Sequence, residues 1–156
     1  MTKVFIDGSA GTTGLRIWQR LAGRKDLTLI TLPEELRKDL NARKDALNGA
    51  DVAFLCLPDA AAIEAVSLIE SNHVAVIDTS TAHRVSPDWD YGFPELSSEH
   101  RQTIIHSKRV ANPGCHASGF IAGVYPLVRH GVISADFPLT AYSLTGYSGG
   151  GKKMIA

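Results

Sequence analysis

Short apolar runs alternate with amphipathic stretches along the first half of the chain. Four runs are almost wholly apolar and end at turn or polar residues, which predicts buried strands at residues 4–6, 27–32, 52–57 and 74–78. The spacing of apolar residues between them predicts helices at residues 13–21, 36–47 and 60–71. Strands this apolar, separated by helices, are typical of βαβ units. We therefore expect an α/β fold with a mostly parallel sheet and helices on both faces.

The second half of the chain is less regular. Residues 87–94 are rich in proline and aromatic side chains and are predicted as an ordered loop. We predict strands at residues 103–110 and 139–144, and a helix with one apolar stripe at residues 118–130. A glycine run at residues 149–151 follows, with Lys152 directly after it. A domain that stops soon after a strand and a glycine loop looks unfinished, so we expect only the start of a second unit here.

Composition narrows the class of protein. The 156 residues suit one domain, or one domain with part of a second, and 16 basic residues balance 16 acidic ones. Without a basic excess, we expect no nucleic-acid partner. No apolar run approaches the roughly 18 residues that span a bilayer, and no signal-peptide layout is present, so we expect a cytoplasmic protein without a membrane partner. Scattered histidines and two separate cysteines predict no metal site.

Three glycines recur at every third position between the first predicted strand and the first predicted helix: Gly8, Gly11 and Gly14. Glycine allows a tight turn and lets a pyrophosphate approach the backbone, and the helix N-terminus then offers free N–H groups to the anion. Thr12 and Thr13 can add hydroxyl donors or cap the helix. Ala10 takes the place of the second glycine of the usual dinucleotide-binding pattern, so a plain tight turn is the alternative interpretation.

The end of the second strand bears on the choice of nucleotide. Sites that prefer NAD often carry a carboxylate there, about 20 residues after the glycines. Here Glu34 and Glu35 come only after Pro33, and no acid stands on the strand end. Arg37 and Lys38 follow and can help to bind a 2′-phosphate. The pattern favours NADP over NAD.

Cys115 stands at a predicted junction between a strand and a helix, after Asn112, Pro113 and Gly114. A helix N-terminus stabilises a thiolate, which makes such a thiol a nucleophile, and the same N–H groups can stabilise an oxyanion. A lone cysteine is more often a packing residue, as we predict for Cys56 inside an apolar strand. His116 is not expected to act as the base for Cys115, because adjacent helical side chains point apart.

Several segments match one family together. They are residues 8–14 (Gly-Ser-Ala-Gly-Thr-Thr-Gly), 56–59 (Cys-Leu-Pro-Asp), 77–84 (Ile-Asp-Thr-Ser-Thr-Ala-His-Arg), 91–96 (Tyr-Gly-Phe-Pro-Glu-Leu), 111–115 (Ala-Asn-Pro-Gly-Cys) and 148–152 (Ser-Gly-Gly-Gly-Lys). With these segments the chain resembles the N-acetyl-γ-glutamyl-phosphate reductases, in particular their shorter class. The resemblance implies a Rossmann-type NADP-binding domain at residues 1–115 and the beginning of an α+β catalytic and dimerisation domain at residues 116–156. Members are roughly twice this length, so most of the second domain would be missing.

The resemblance also implies an activity, the NADPH-dependent reduction of N-acetyl-L-glutamyl 5-phosphate to the 5-semialdehyde and phosphate in arginine biosynthesis. Cys115 would be the catalytic nucleophile and carry a thioester. The expected cofactor-binding residues are Gly8, Ser9, Gly11, Thr12, Thr13, Gly14, Pro58 and Ser80. The expected substrate and phosphate ligands are Arg84, Asn112, Gly149 and Lys152. No residue matches the histidine that the family uses as acid and base.

Other interpretations stay open at this point. Arg84 and Lys152 can be plain surface charges, and Pro58 a plain strand stop. A short-chain dehydrogenase lacks support because no tyrosine is followed four residues later by lysine. A cysteine hydrolase has no use for a nucleotide turn, and a non-catalytic nucleotide-binding module needs no reactive thiol. Reductases of aspartyl or aminoadipyl phosphate remain related alternatives. We expect a homo-oligomer, either a dimer or a tetramer.

Overall fold

A parallel six-stranded sheet forms the centre of the molecule in the computed structural model, which describes residues 1–146 and Gly149. The strands are β1 (Thr2–Asp7), β2 (Leu27–Ile30), β3 (Val52–Leu55), β4 (Ala75–Asp78), β5 (Asp90–Tyr91) and β6 (Arg109–Ala111). Their order across the sheet is β2-β1-β3-β4-β6-β5, and every pairing is parallel. The chain leaves β1 towards β2 and returns to the other side of β1 at β3. This reversal makes the gap between β1 and β3 the expected ligand crevice of the sheet.

In the described part of the chain, four helices lie between strands and a fifth follows β6: α1 (Thr12–Leu21), α2 (Leu40–Asn48), α3 (Asp59–Ser67), α4 (Ser98–His106) and, after β6, α5 (Cys115–Arg129). Short 3-10 turns occupy Glu34–Leu36 and Pro94–Leu96. Side-chain oxygens start two of the helices, since Asp39 accepts from the Ala42 amide of α2 at 2.8 Å and Ser97 from the His100 amide of α4 at 3.2 Å. Glycines without a side-chain cap start α1 and α5.

The core lies where α2 and α3 cover the sheet. Successive strand residues point to opposite faces, and alternate positions of β3 and β4 are fully buried. The largest fully buried apolar side chains are Leu47, Leu55, Val74 and Val76. Each such side chain stabilises the fold by about 1.5–3 kcal/mol relative to exposure. The packing therefore fixes the strand ends from which the site is built.

The α/β fold and the four strands of the first half are confirmed. The helix expected at residues 118–130 is also confirmed, and it begins earlier, at Cys115. The strand expected at residues 103–110 is wrong for most of its length, because α4 runs to His106 and only Arg109–Ala111 is a strand. Ser97 caps that helix, and the negative charge of Glu99 in its first turn interacts favourably with the positive end of the helix dipole. The predicted loop at 87–94 contains the two-residue strand β5.

The strand expected at residues 139–144 is also wrong. These residues have no regular structure, and Tyr142 and Leu144 are 87% and 79% exposed. A strand needs a neighbour that pairs with its backbone, and within residues 1–146 no strand lies beside this segment. The alternating pattern alone therefore does not make a strand here. Lys152 and the remaining glycines of the 149–151 run lie outside the described residues.

Candidate active site

Two loops that each join a strand to a helix lie at the carboxyl ends of the strands, on the same side of the sheet. The first, the glycine turn (residues 8–11), connects β1 to α1, and the second, the cysteine turn (residues 112–115), connects β6 to α5. Both follow the carboxyl end of a parallel strand, with β3 and β4 between them. At about 4.8 Å per strand, the two turns are about 14 Å apart along the edge. An elongated ligand can therefore reach both.

The backbone around Gly8 and Gly14 is packed so closely that neither position has room for a side chain. Gly8 has φ +85°, and a Cβ there would lie 2.3 Å from the carbonyl oxygen of Cys56. A Cβ at Gly14 would lie 2.4 Å from the carbonyl oxygen of Gly8. The Gly11 amide donates to Gly8 O at 2.9 Å, and Gly11 offers α1 no side-chain cap. The first amides of α1 are thus left to an external acceptor, which fits the phosphates of a dinucleotide.

A cleft of about 510 Å³ opens beside this turn. Its walls are the end of β1, the glycine turn, the segment after β2, and Leu57. Ser9 lines the cleft, and the exposed Thr12 and Thr13 stand at the start of α1. The segment after β2 contributes side chains of both charges to the cleft: Glu34, Glu35, Arg37 and Lys38. The cleft therefore has the size and position for part of a dinucleotide.

Pro58 and Ser80, two of the predicted cofactor-binding residues, do not line the cleft beside the glycine turn. Pro58 is exposed and precedes α3, and its neighbour Leu57 provides the wall of the cleft. Ser80 is only 7% exposed. Its hydroxyl donates to Asp78 Oδ2 at 2.6 Å and its amide to Asp78 Oδ1 at 2.9 Å. Ser80 therefore supports the loop after β4, and direct contact of its hydroxyl with a cofactor stays a prediction.

A buried carboxylate that was not predicted from the sequence organises this loop. Asp78 has no exposed surface, and besides Ser80 it bonds His83 Nδ1 at 2.7 Å. The ring of His83 stacks on Trp89 with 4.2 Å between ring centroids. A buried carboxylate requires such donors. An aspartate at the end of an apolar strand, followed two residues later by serine, is the local signal that could have indicated it.

Arg84 holds the cysteine turn against the loop after β4. Its Nε donates to Asn112 O at 3.1 Å and its Nη2 to Thr79 O at 3.2 Å. A Cβ at Gly114 would lie 2.8 Å from Arg84 Nη1, so the guanidinium packs on the backbone just before Cys115. The Asn112 amide donates to Asp78 O at 2.7 Å, while its exposed side chain donates to Pro113 O at 3.1 Å. A cation and a helix N-terminus thus meet at the turn.

The two thiols have different surroundings. Cys115 is exposed and is the first residue of α5. Cys56 is half-buried after β3, and burial raises the pKa of its thiol to about 11 although a bond with the Thr79 side chain opposes the shift. Thiolates, not thiols, are the nucleophiles. Cys56 is therefore a poor nucleophile near neutral pH, which leaves Cys115 as the candidate.

A second cleft, of about 730 Å³, surrounds Cys115. The first turn of α5, residues 141–146 and Gly149 line it. The imidazole of His116 bonds Thr145 Oγ1 through Nε2 at 2.5 Å and contacts Ser143 Oγ through Nδ1. His116 thus holds one wall of the cleft. Lys152, the remaining predicted phosphate ligand, lies outside the described residues.

Two negative observations concern the described part of the chain. Within residues 1–146 and Gly149, no three His, Cys, Asp or Glu side chains gather as a metal site would require. No helix in the same residues has the length and apolar character to cross a bilayer.

A parallel sheet with a glycine turn at its switch point defines a Rossmann-type dinucleotide-binding domain. Residues 3–104 match the family model described as semialdehyde dehydrogenase, NAD binding domain. The chain belongs to this family.

Curated relatives are similar over nearly the whole chain. An N-acetyl-gamma-glutamyl-phosphate reductase of Burkholderia lata is 54% identical over 97% of this chain and 48% of its own length. One of Chelativorans sp. is 56% identical over 98% of this chain and 49% of its own. N-acetyl-gamma-glutamyl-phosphate reductase 2 of Pseudomonas putida is 54% identical over 97% and 49%. The chain spans about half the length of the curated relatives it matches.

Solved structures support the fold. Aspartate semialdehyde dehydrogenase from Francisella tularensis aligns with a TM-score of 0.62 at 18% identity, over 84% of this chain and 42% of that one. Aspartate semialdehyde dehydrogenase with NADP from Candida albicans aligns with a TM-score of 0.59 at 19% identity, over 83% and 47%. At these identities the likeness concerns the architecture alone.

Proposed function

We propose that the protein carrying this chain reduces N-acetyl-L-glutamyl 5-phosphate to N-acetyl-L-glutamate 5-semialdehyde and phosphate with NADPH, as a step of arginine biosynthesis. The observation that carries the proposal is an exposed Cys115 at the start of α5, on the sheet edge that also bears the glycine turn. The relatives named N-acetyl-gamma-glutamyl-phosphate reductase support the substrate. Reductases of aspartyl or aminoadipyl phosphate are the alternatives within the same chemistry.

Cys115 is the proposed nucleophile. Its Sγ attacks the acyl carbon of the substrate, phosphate leaves, and a thioester remains on the sulfur. When bound, NADPH would supply the hydride that reduces the thioester carbon. Collapse of the resulting thiohemiacetal anion would release the aldehyde and return the Cys115 thiolate. Backbone amides at the start of α5 can stabilise the oxyanion formed in the attack, because Gly114 caps the helix without a side chain.

The phosphate of the substrate needs cationic or N–H partners near the sulfur. Arg84 lies against Gly114, one residue before Cys115, so it is well placed for the leaving phosphate. It already donates to two backbone carbonyls, and in this position it also holds the turn. The exposed Asn112, the cleft-lining Gly149 and Lys152 complete the proposed set of ligands.

We propose NADP as the preferred nucleotide. The glycine turn takes the pyrophosphate, with Ser9, Thr12 and Thr13 beside it, and the nicotinamide end extends towards the cysteine turn. Arg37 and Lys38 line the cleft after β2, where the 2′-phosphate of NADP is expected. No carboxylate stands on the end of β2 itself, which finishes at Ile30.

The proposed domains are a nucleotide-binding domain at residues 1–115 and the start of a catalytic α+β domain at residues 116–156. The packing of α5 supports this division. The helix has no buried residue, and its Phe120 and Leu127 are 44% and 41% exposed. Its apolar side chains are therefore not part of the core formed by α2, α3 and the sheet. A cytoplasmic homo-oligomer, a dimer or a tetramer, is part of the proposal.

The test is the reverse reaction of the full-length protein, followed as phosphate-dependent reduction of NADP+ to NADPH while N-acetylglutamate semialdehyde is oxidised. We expect Cys115→Ala to lower kcat by at least about a thousandfold, as loss of a covalent nucleophile does. Cys56→Ala is the matched control and should change kcat by less than about threefold. An active Cys115→Ala protein contradicts the mechanism, and faster turnover of aspartate semialdehyde contradicts the substrate.

A further inference from the structure

A buried pair of charged side chains, joined by a half-exposed third, lies next to the glycine turn. Asp7 is the last residue of β1, and Arg43 of α2 donates to its Oδ2 from Nε at 3.1 Å and from Nη2 at 3.0 Å. Arg43 Nη1 donates to Glu64 Oε2 of α3 at 2.7 Å. The side chains of Arg43 and Asp7 are 8% and 5% exposed, and that of Glu64 is 49% exposed.

The position of Asp7 is unexpected for a site that binds phosphates. Asp7 immediately precedes Gly8 and lines the same cleft as Gly8, Ser9 and Ala10. A pyrophosphate on this turn brings negative charge close to a buried carboxylate, where water screens little. Burial raises the pKa of the Asp7 carboxyl, and the charge and hydrogen bonds of Arg43 act against that rise. Arg43 is thus the group that balances this charge.

We propose that Arg43 is a positioning residue for nucleotide binding, which neutralises Asp7 so that the glycine turn accepts the phosphates of a dinucleotide. The inference rests on the proposed nucleotide binding and concerns residues outside the motif that indicated it. Both Asp7 bonds come from the guanidinium of Arg43, which places a positive charge within hydrogen-bond distance of the carboxylate. The backbone N–H of Gly8 also acts to lower the pKa of the Asp7 carboxyl, so the charge of this carboxyl is felt at the first residue of the turn.

A structural role of Arg43 and a charge-balancing role predict different nucleotide affinities for a double variant. If Arg43 only holds α2 against β1, removing Asp7 as well adds a second defect. If Arg43 balances charge, replacing Asp7 by asparagine in an Arg43 variant removes the unpaired carboxylate and restores binding. Asparagine has nearly the same size as aspartate and keeps an acceptor oxygen, so the substitution removes the charge and little else.

The experiment is calorimetric titration of the full-length protein with NADPH, with thermal unfolding recorded for each variant. We expect Arg43→Gln to weaken binding at least about tenfold, the scale of a lost charge-assisted bond. Arg43→Lys and the double variant Asp7→Asn with Arg43→Gln should both bind within about threefold of the unmodified protein. Lys44→Gln is the matched control, since it removes the same charge from the same helix, where Lys44 pairs with Glu70 away from the turn at 2.6 Å.

Each outcome decides the proposal. Unchanged binding by Arg43→Gln overturns it, and so does a double variant that binds no better than the single one. If Arg43→Gln does not fold, the single variant Asp7→Asn decides, because charge balance predicts binding at least as tight as that of the unmodified protein and weaker binding overturns the idea. Failure of the unmodified protein to bind NADPH refutes the proposed function, and this inference falls with it.

Discussion

The glycine turn and the cysteine turn have the same local design but are held in place differently. Each follows a parallel strand, and each starts a helix with a glycine that has no side-chain cap. The glycine turn is held by the close approach of Gly8 to the Cys56 carbonyl and by the buried ion pair of Arg43 and Asp7. The cysteine turn is fixed from the side, by Arg84 of another loop. The same local motif therefore depends on core packing in one place, and in the other on the long side chain of Arg84 together with the bond from the Asn112 backbone amide to Asp78 O.

The largest effect is expected at Gly8, the most closely packed position of the glycine turn. Gly8→Ala places a Cβ 2.3 Å from Cys56 O at φ +85°. We expect the free energy of unfolding to fall by about 3 kcal/mol or more, because the two backbone segments cannot move apart without disturbing β1 or β3. NADPH binding should be lost. Chemical denaturation and calorimetry measure the two effects.

Gly23→Ala is the control for that substitution, since nothing lies within 4 Å of a Cβ there. Its free energy of unfolding and its affinity for NADPH should stay close to those of the unmodified protein. A Gly8→Ala protein that is as stable as Gly23→Ala would show that the turn adapts and that its glycine is not required.

Arg84→Met tests whether the cysteine turn depends on one side chain. The variant loses the bonds to Asn112 O and Thr79 O and the positive charge beside the turn. Because the turn is then no longer held against the loop after β4, we expect the rate of Cys115 alkylation and kcat to fall about tenfold or more. NADPH affinity should change little, because the glycine turn is held by other contacts. Iodoacetamide labelling followed by mass spectrometry measures the first effect.

Arg101→Met, which removes an exposed cation from α4, is the control for Arg84→Met. If Arg84 binds phosphate without holding the turn, its variant raises KM for phosphate in the reverse reaction while the labelling rate of Cys115 stays unchanged. That result would refute the holding role.

The two thiols are expected to differ in how their rate of alkylation depends on pH. Burial raises the pKa of the Cys56 thiol to about 11, so its reactive thiolate is scarce at neutral pH and increases about tenfold per pH unit until that value is approached. In Cys115→Ala, iodoacetamide should therefore label Cys56 very slowly at pH 7 and progressively faster towards pH 10. In Cys56→Ala, the exposed Cys115 should be labelled readily at pH 7. Comparable rates for the two thiols at pH 7 would contradict the distinction.

The smallest effect is expected at a helix that a side chain caps. Ser97→Ala removes the acceptor for the His100 amide at the start of α4, and should lower the free energy of unfolding by about 1 kcal/mol. NADPH affinity and Cys115 labelling should stay unchanged, because α4 begins at neither turn. A loss of either would show that α4 is coupled to the site.

The amount that could be predicted differs between the two halves of the chain. Residues 52–57 and 74–78 were recognisable as strands because a strand buried on both faces is apolar throughout. The pattern failed at residues 103–110, where Ile104 and Ile105 belong to a helix that Ser97 caps. It failed again at residues 139–144, where alternation was present but no strand pairs with the segment in the described part of the chain. Short apolar runs leave helix and strand undecided.

The sequence by itself determined the parallel sheet, the glycine turn and the cysteine at a strand end. These features follow from local patterns, namely apolar runs, glycine spacing and turn residues, which act over a few neighbouring positions. Only the tertiary structure decided that Arg43 neutralises Asp7, 36 positions away, that Ser80 turns inward to Asp78, and that Arg84 rests on Gly114. Such pairings depend on how the chain brings distant segments together, and no local pattern records which charges will meet.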